Sequence, residues 1–330
     1  MLTHGGYFMQ NVIGIDVSKG KLDISALFNN KKRYKGVENS ESGFKKLHSW
    51  IVKLNIENPH ICMESTGCYS EGVAEFFHNL GMKVSVVNPW RIKAFHDSCL
   101  IRQKTDSSDA QMIAEFCRMH NPDAWTPKSP EIKVLHEINR RIDSLKIEQN
   151  RASNILEKQN LPGVVLRSVN SEIEFLKQQI GELEEEIRKI IENNKDLMLK
   201  FQRLMEVKGV GERTAIAILT DMPDVSNFEK SEQFAAFAGV TPAHFESGTS
   251  VKGKSHISKI GAGRLRKILY MSAINVKNHN PYFKNFVERL QQKGKPPKVI
   301  ICAIMRKLLV IFFGMLKNST AFDQKLAFRP

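Results

Sequence analysis

The chain has 330 residues, of ordinary composition for a soluble globular protein and long enough for two or three domains with their own cores. Its 49 Lys and Arg against 35 Asp and Glu leave a formal charge of +14, which points to a polyanion: nucleic acid, ahead of an acidic membrane surface. Five scattered cysteines (Cys62, Cys68, Cys99, Cys117 and Cys302) contain no Cys-x-x-Cys pair, so neither a disulfide framework nor a zinc site is expected, and reduced cytosolic thiols are.

No secretory leader is expected, because Met1 to Gln10 has no apolar core behind a basic end. Val12 to Asp16 reads as a buried strand running straight into a carboxylate. A buried carboxylate is costly unless paired or bound to metal, which makes Asp16 a candidate metal ligand; the bland reading is a turn residue. Leu22–Phe28 reads as a second strand, Asn29-Asn30 as a turn, and Arg33–Val37 as a third. Ser40 or Ser42 caps a helix carrying Phe44, Leu47, Trp50, Ile51 and Leu54. His60–Glu64 is a fourth strand and also ends in a carboxylate. Ser70 opens a helix through Val73, Phe76, Phe77 and Leu80, closed by Gly81. Lys83–Val87 is a fifth strand, ended by Asn88-Pro89, and a helix carrying Asp106, Asp109, Ile113 and Phe116 comes next. Three meandering strands and then alternating helix and strand is the order of the ribonuclease-H-like fold. Its metal carboxylates lie at the ends of the first and fourth strands and on a late helix, the places of Asp16, Glu64 and the Asp106/Asp109 pair. Those last two are three apart and share one helix face; alone, Asp106 reads as a helix cap.

A Pro-rich linker at Asn121-Pro122 and Thr126–Pro130 leads to two arms of heptad spacing. The first is Leu135, Ile138, Ile142, Leu145, Gln149, Ala152 and Leu156; the second, beyond the Leu161-Pro162-Gly163 break, is Ile173, Leu176, Ile180, Leu183, Ile187 and Ile190. An antiparallel helical hairpin or an intermolecular coiled coil is expected from that spacing. From about Asp196 the chain reads as helical with a loop-rich insert. Val207-Lys208-Gly209-Val210-Gly211 between apolar helices looks like a helix-hairpin-helix element, in which Gly209 and Gly211 let backbone N–H groups approach a phosphate beside Lys208; its bland reading is a plain turn. Between Glu246 and Glu288 there is no acidic residue, while Lys252, Lys254, Lys259, Arg264, Arg266 and Lys267 fall there, interleaved with glycines, which suits a phosphate backbone. A solvated basic face is the alternative. Val299 to Leu316 is the most apolar stretch; Arg306 and Lys307 split it, so a buried helix is expected rather than a membrane span.

Several segments together resemble a known family: Gly14-Ile15-Asp16-Val17-Ser18-Lys19, Met63-Glu64-Ser65-Thr66-Gly67 and Lys104-Thr105-Asp106-Ser107-Ser108-Asp109-Ala110, then Gly239-Val240-Thr241-Pro242 with Glu246-Ser247-Gly248, Ile257-Ser258-Lys259 and Gly261. They are similar to the DEDD transposases of bacterial insertion sequences, among them pilin-gene-inverting recombinases and enzymes guided by a bridge RNA. The resemblance runs from about Val12 to Leu316. It implies an α/β plus α protein: a RuvC-like, ribonuclease-H-like domain over 10–125, a coiled-coil or helical hairpin over 130–195, and a mostly helical transposase domain over 196–320. It implies that Asp16, Glu64, Asp106 and Asp109 bind Mg²⁺ or Mn²⁺, two ions in number, and that Ser247 is the nucleophile. It further implies a dimer or tetramer acting on donor and target DNA under a structured guide RNA, in the bacterial cytoplasm at the nucleoid, with no membrane partner. The residues agree with this chemistry, since clustered carboxylates repel one another and a hard divalent cation relieves the repulsion. Lys252, Lys254 and Lys259 would hold the scissile backbone. His244 and His256 flank the serine region, in reach of a proton-transfer or phosphate-binding role.

Three other readings compete. One is a RuvC-type structure-specific endonuclease attacking with water; Ser247 in a long C-terminal domain argues against it. Another is an actin-like kinase, whose first strand also carries Gly-Ile-Asp; it needs a second glycine-rich phosphate segment that this sequence lacks. The third is a non-enzymatic nucleic-acid-binding protein using the Gly209–Gly211 hairpin. Three Trp and five Tyr are few for base-stacking platforms, so RNA recognition through backbone and shape is expected.

Overall fold

The computed structural model describes residues 11–99, 106–158, 160–243, 246–247, 251–252, 256–258 and 260–328; at 106–107, 243, 246–247, 251–252, 256 and 326 only the backbone is described. The chain divides into two compact units, Met1–Pro127 and Lys128–Pro330.

The first unit is built on one mixed sheet. Strands β1 (Val12–Val17), β2 (Lys21–Phe28) and β3 (Lys31–Glu38) form the expected meander. Asn29 and Asn30 make the turn between β2 and β3 with φ of 45° and 58°. Two consecutive left-handed residues match the twist of a tight hairpin, and asparagine tolerates that conformation better than other residues with a Cβ. Helix α1 (Glu41–Lys53) is capped by Ser40, whose hydroxyl accepts from the Gly43 N–H at 3.3 Å. Strand β4 (His60–Glu64) lies parallel to β1; helix α2 (Cys68–Asn79) then leads to β5 (Val84–Val87), parallel to β4. The strand order is β3-β2-β1-β4-β5.

Helix α2 starts at Cys68, two residues before the expected Ser70. Helix α3 (Pro89–Ser98) is not among the elements expected from sequence. Asn88 and Pro89 do end β5, but they also begin a helix: the Asn88 side chain accepts from the Trp90 N–H at 2.9 Å, and Pro89 needs no donor in a first turn. Helix α4 (Asp106–His120) completes the unit. One sheet face packs Ile13, Ile15, Leu22, Ile61 and Met63 with Leu47 and Ile51 of α1 and Val73 and Phe77 of α2. The other packs Val12, Leu27 and Cys62 with Ile92 and Phe95 of α3 and Ile113, Phe116 and Cys117 of α4. Burying an aliphatic or aromatic side chain of this size stabilises a fold by about 1.5–3 kcal/mol. Cys62 and Cys117 are both buried free thiols. Contact with the Cys117 thiol, together with burial, pushes the Cys62 thiol up, so it is a neutral packing group.

The second unit opens with helices α5 (Pro130–Leu156) and α6 (Gly163–Asn193). Leu135, Ile142 and Leu145 pack on Leu176, Ile180, Ile187 and Ile191, while Ala152 near the turn packs on Val169 and Ile173. That order makes α5 and α6 antiparallel, and the seam expected from the heptads closes as a hairpin within the chain. Leu197 of α7 (Lys195–Met205) and Ile216 of α8 (Glu212–Asp221) join the same cluster. After α9 (Ser231–Phe237) the expected loop-rich insert contains four two-residue strands: β6 (Pro242–Ala243), β7 (Glu246–Ser247), β8 (Val251–Lys252) and β9 (His256–Ile257). The pair β7–β8 is nested inside the pair β6–β9. Helices α10 (Gly263–His279), α11 (Lys284–Gln292) and α12 (Pro297–Lys317) come after them. By length and composition α12 is apolar enough to cross a membrane, but Ile304, Leu308, Leu309 and Phe312 are fully buried in the core shared with Leu204, Phe234, Leu265 and Leu269, as the sequence predicts.

Candidate active site

Register places the first two acids. Strands β1 and β4 run parallel with Ile15 beside Met63. Asp16 and Glu64 are the next residue on each strand, so they stand side by side where the two strands end, both partly exposed. Their face follows from alternation: Val12 and Cys62 pack toward α3 and α4, so Asp16 and Glu64, an even number of residues on, also face α4.

Helix α4 lies very close over that face. A Cβ built on Gly14 would come within 2.3 Å of the Ala110 carbonyl oxygen and the Ala114 nitrogen. Glycine at position 14 is therefore what lets the helix descend onto β1. Asp109 precedes Ala110 directly, and Asp106 is the first residue of the helix, so the first turn of α4 lies over the strand end that carries Asp16. The side chain of Asp106 lies outside the described residues. Among the described residues, no three His, Cys, Asp or Glu side chains gather closely enough to hold a metal ion. The donor set is nonetheless one chemical kind: carboxylate oxygens alone, the hard ligands that Mg²⁺ prefers.

A further carboxylate stands in the same row. Asp23 on β2 is the direct cross-strand partner of Asp16, and Lys21 binds it at 2.7 Å. Like charges directly opposite destabilise a strand pair, and Lys21 offsets this one. The sequence carries the signal: a three-residue turn, Ser18 to Gly20, between the two strands fixes Asp16 opposite Asp23.

In the second unit, Ser247 ends β7, where it pairs with Val251 across the tip of the inner ladder, and Lys252 pairs with Glu246. His256 pairs with Ala243 in the outer ladder. His244, Gly248, Lys254 and Lys259 lie outside the described residues. At the glycine hairpin between α7 and α8, Gly209 has φ 94° and its absent Cβ would meet the Val276 backbone at 2.9 Å. Its conformation and its closeness to α10 both require glycine. Asn280 fastens the same turn by donating to the Lys208 carbonyl at 2.8 Å. Gly211, by contrast, has open space beside it at the start of α8. Lys208 and Lys267 are exposed.

Two arginines of the basic segment face the protein's own groups. Arg264, expected on a phosphate, binds Asp143 of α5 at 2.5 Å and also Asp221 of α8. Asp143 also takes Arg213 at 2.7 Å, and His136 lies 3.9 Å from Asp221. Asp221 is only 8 % exposed. This cluster fastens the base of the α5–α6 hairpin to α8 and α10, and nothing in the local sequence announces it. Arg266 is half-buried and donates to the Ala238 carbonyl at 3.3 Å.

Fold and site together define a class: an α/β domain compatible with the ribonuclease-H-like architecture, bearing carboxylates at adjacent strand ends, followed by a helical basic domain. Comparison with known proteins gives the family. A transposase family model of the IS110 DEDD type matches residues 13–165, and the model of the IS116/IS110/IS902 transposase family matches residues 201–288. The pilin gene-inverting proteins of Moraxella lacunata and Moraxella bovis are each 33% identical over 321 residues, covering 95% of this chain and 98% of theirs. The transposase for insertion sequence element IS1328 of Yersinia enterocolitica is 24% identical over 296 residues, covering 76% of this chain and 82% of its own. The chain belongs to the IS110-type DEDD transposase family, a family of DNA recombination enzymes.

Proposed function

We propose that this transposase cuts and exchanges DNA strands at a site formed by Asp16, Glu64, Asp106 and Asp109, with Ser247 as the attacking group. What carries the reading is the register that sets Asp16 beside Glu64 under the first turn of α4. Two magnesium or manganese ions held by those four carboxylates would supply the positive charge on which phosphoryl transfer depends. The acids' part is to hold that charge at one end of the sheet. Ser247 attacks phosphorus through its hydroxyl oxygen, forms a phosphoserine ester and releases the displaced strand as a hydroxyl; reversal onto a new strand rejoins the DNA with no outside energy. Lys252, Lys254 and Lys259 hold the scissile backbone beside Ser247, and Lys208, Gly209, Gly211 and Lys267 hold DNA farther along. Arg264 and Arg266 keep this segment in place from within.

The resemblance to RNA-guided relatives extends the proposal to a bridge RNA that presents donor and target DNA, and to a dimer or tetramer. Val164 and Phe175 on α6, 66% and 60% exposed, are suited to such assembly. The protein would work in the cytoplasm at the nucleoid.

The test is a denaturing gel of DNA carrying the ends of the insertion element, incubated with protein and Mg²⁺. The expected result is a protein–DNA adduct that disappears in Ser247→Ala, in Asp16→Ala and on chelation, while DNA binding persists. Clean hydrolysis indifferent to Ser247→Ala would replace this reading with the RuvC-type endonuclease. Sequencing the nucleic acid that co-purifies tests the guide: recovery of no discrete RNA counts against it.

A further inference from the structure

We infer that the outer strand of the sheet, β3, seats the sugar-phosphate backbone of substrate DNA on its way to the carboxylates. The inference rests on the reading of the chain as an enzyme acting on DNA through those acids. Four of five consecutive residues on this strand are cationic: Lys31, Lys32, Arg33 and Lys35, with Tyr34 among them. None of the four forms an ion pair among the described residues. The nearest carboxylate on the neighbouring strand, Asp23, is bound by Lys21 instead.

Two of the charges are held in place. On the α4 side, Lys32 donates to the Gln111 side-chain oxygen and lies 4.8 Å over the Tyr34 ring, whose hydroxyl donates to the same oxygen at 3.0 Å. On the α1 side, Lys35 lies 5.8 Å from the centre of the Trp50 ring. An ammonium group already held over a ring has less side-chain entropy to lose when a ligand binds. Tyr34 is 45% exposed, and Lys31 and Arg33 are exposed. Strand β3 is also last in the sheet order, so its outer backbone N–H groups add further donors for phosphate oxygens.

Position supplies the link to chemistry. Tyr34, Ser25 and Gly14 form one row across the sheet, and Gly36, Asp23 and Asp16 form the next row on the same face; Lys32 shares that face, while Lys31, Arg33 and Lys35 flank the same outer edge from the α1 side. From strand spacing and rise, Tyr34 and Asp16 are about 12 Å apart at Cα. At about 3.4 Å per nucleotide, DNA spans that distance in roughly four steps. Gln111, which both Lys32 and Tyr34 touch, is two residues beyond Asp109 on α4.

Lysines on an edge strand also prevent sheets from joining edge to edge, so the experiment must separate the two roles. Full-length protein and the triple variant Lys31→Gln/Lys32→Gln/Lys35→Gln, which removes charge from both sides of the edge, are titrated onto a short random-sequence DNA duplex over a range of NaCl, with size-exclusion chromatography and thermal melting alongside. Each lost phosphate contact shallows the log–log salt slope by about 0.9. The expected result is a slope shallower by about 2–3, affinity at least tenfold weaker at low salt, unchanged melting, and recovery when the three positions carry Arg. Unchanged slope and affinity in the variant, with wild type binding normally, overturns the inference and leaves the transposase reading intact; so does self-association of the variant with DNA binding retained, which makes β3 an edge guard. Loss of RNA binding alone also overturns it. Failure of the wild type to bind any duplex overturns both.

Discussion

The acids of the first unit and the basic segment of the second make a useful contrast. Asp16 and Glu64 are placed by backbone pairing: once β1 and β4 are in register, the two carboxylates can stand nowhere but side by side. Arg264 and Arg266 sit in a stretch just as conspicuous in sequence, yet their guanidinium groups are turned onto Asp143, Asp221 and the Ala238 carbonyl. A pattern on a strand fixes where a side chain goes, because the pleat alternates and the ladder admits one register. A surplus of charge fixes nothing of the kind, because an arginine reaches whichever carboxylate or phosphate lies nearest.

Three experiments press on that contrast. The largest effect belongs to the strand ends: Asp16→Ala or Glu64→Ala should lower strand cleavage by about 10²–10³-fold or more while duplex binding persists, and cleavage near wild-type rate would remove these acids from the chemistry. Next comes the packing that sets the helix over them. Gly14→Ala forces a methyl group against the Ala110 carbonyl and the Ala114 nitrogen; since backbone must move, a loss of about 2–3 kcal/mol in denaturant unfolding is expected. A neutral result would mean that α4 shifts freely. The smallest effects divide the basic segment. Arg264→Gln leaves Asp143 and Asp221 without their shared cation and should cost about 2 kcal/mol of stability, less than a fully buried pair because the site is partly wet. Lys267→Gln should leave melting unchanged and shallow the DNA salt slope by about 0.9. If the two variants exchanged these behaviours, the inward and outward assignments would be reversed.

Much of the first unit is legible in sequence because its signals are local and periodic. The Val12–Asp16 run, the Asn29-Asn30 turn, the Ser40 cap and the face shared by Val73 and Phe77 each need only a few adjacent residues. Helix α3 escapes because Asn88-Pro89 reads as a stop, when the same pair also starts a helix. Asp23 escapes because its meaning lies across the ladder, opposite Asp16, rather than along its own strand. The cluster around Arg264 is hidden by distance along the chain: Asp143 lies 121 residues away and Asp221 lies 43 away. The four strands between Pro242 and Ile257 are two residues each, too short to show alternation, so the setting of Ser247 in a nested hairpin cannot be read from its neighbours.

Helix α12 has a consequence for the order in which the protein becomes an enzyme. The first unit holds all its own core residues before Lys128, so it can close while the ribosome is still translating the second. The core of the second is different: Leu204, Phe234 and Leu265 share it with Ile304, Leu308, Leu309 and Phe312 of Pro297–Lys317, the last long helix described. Proteolysis of ribosome-stalled chains would reveal this as a resistant first unit beside a sensitive second one. Synthesis itself thus imposes a delay, in which the strands bearing Asp16 and Glu64 fold early and the domain bearing Ser247 matures only after Pro297–Lys317 has left the ribosome.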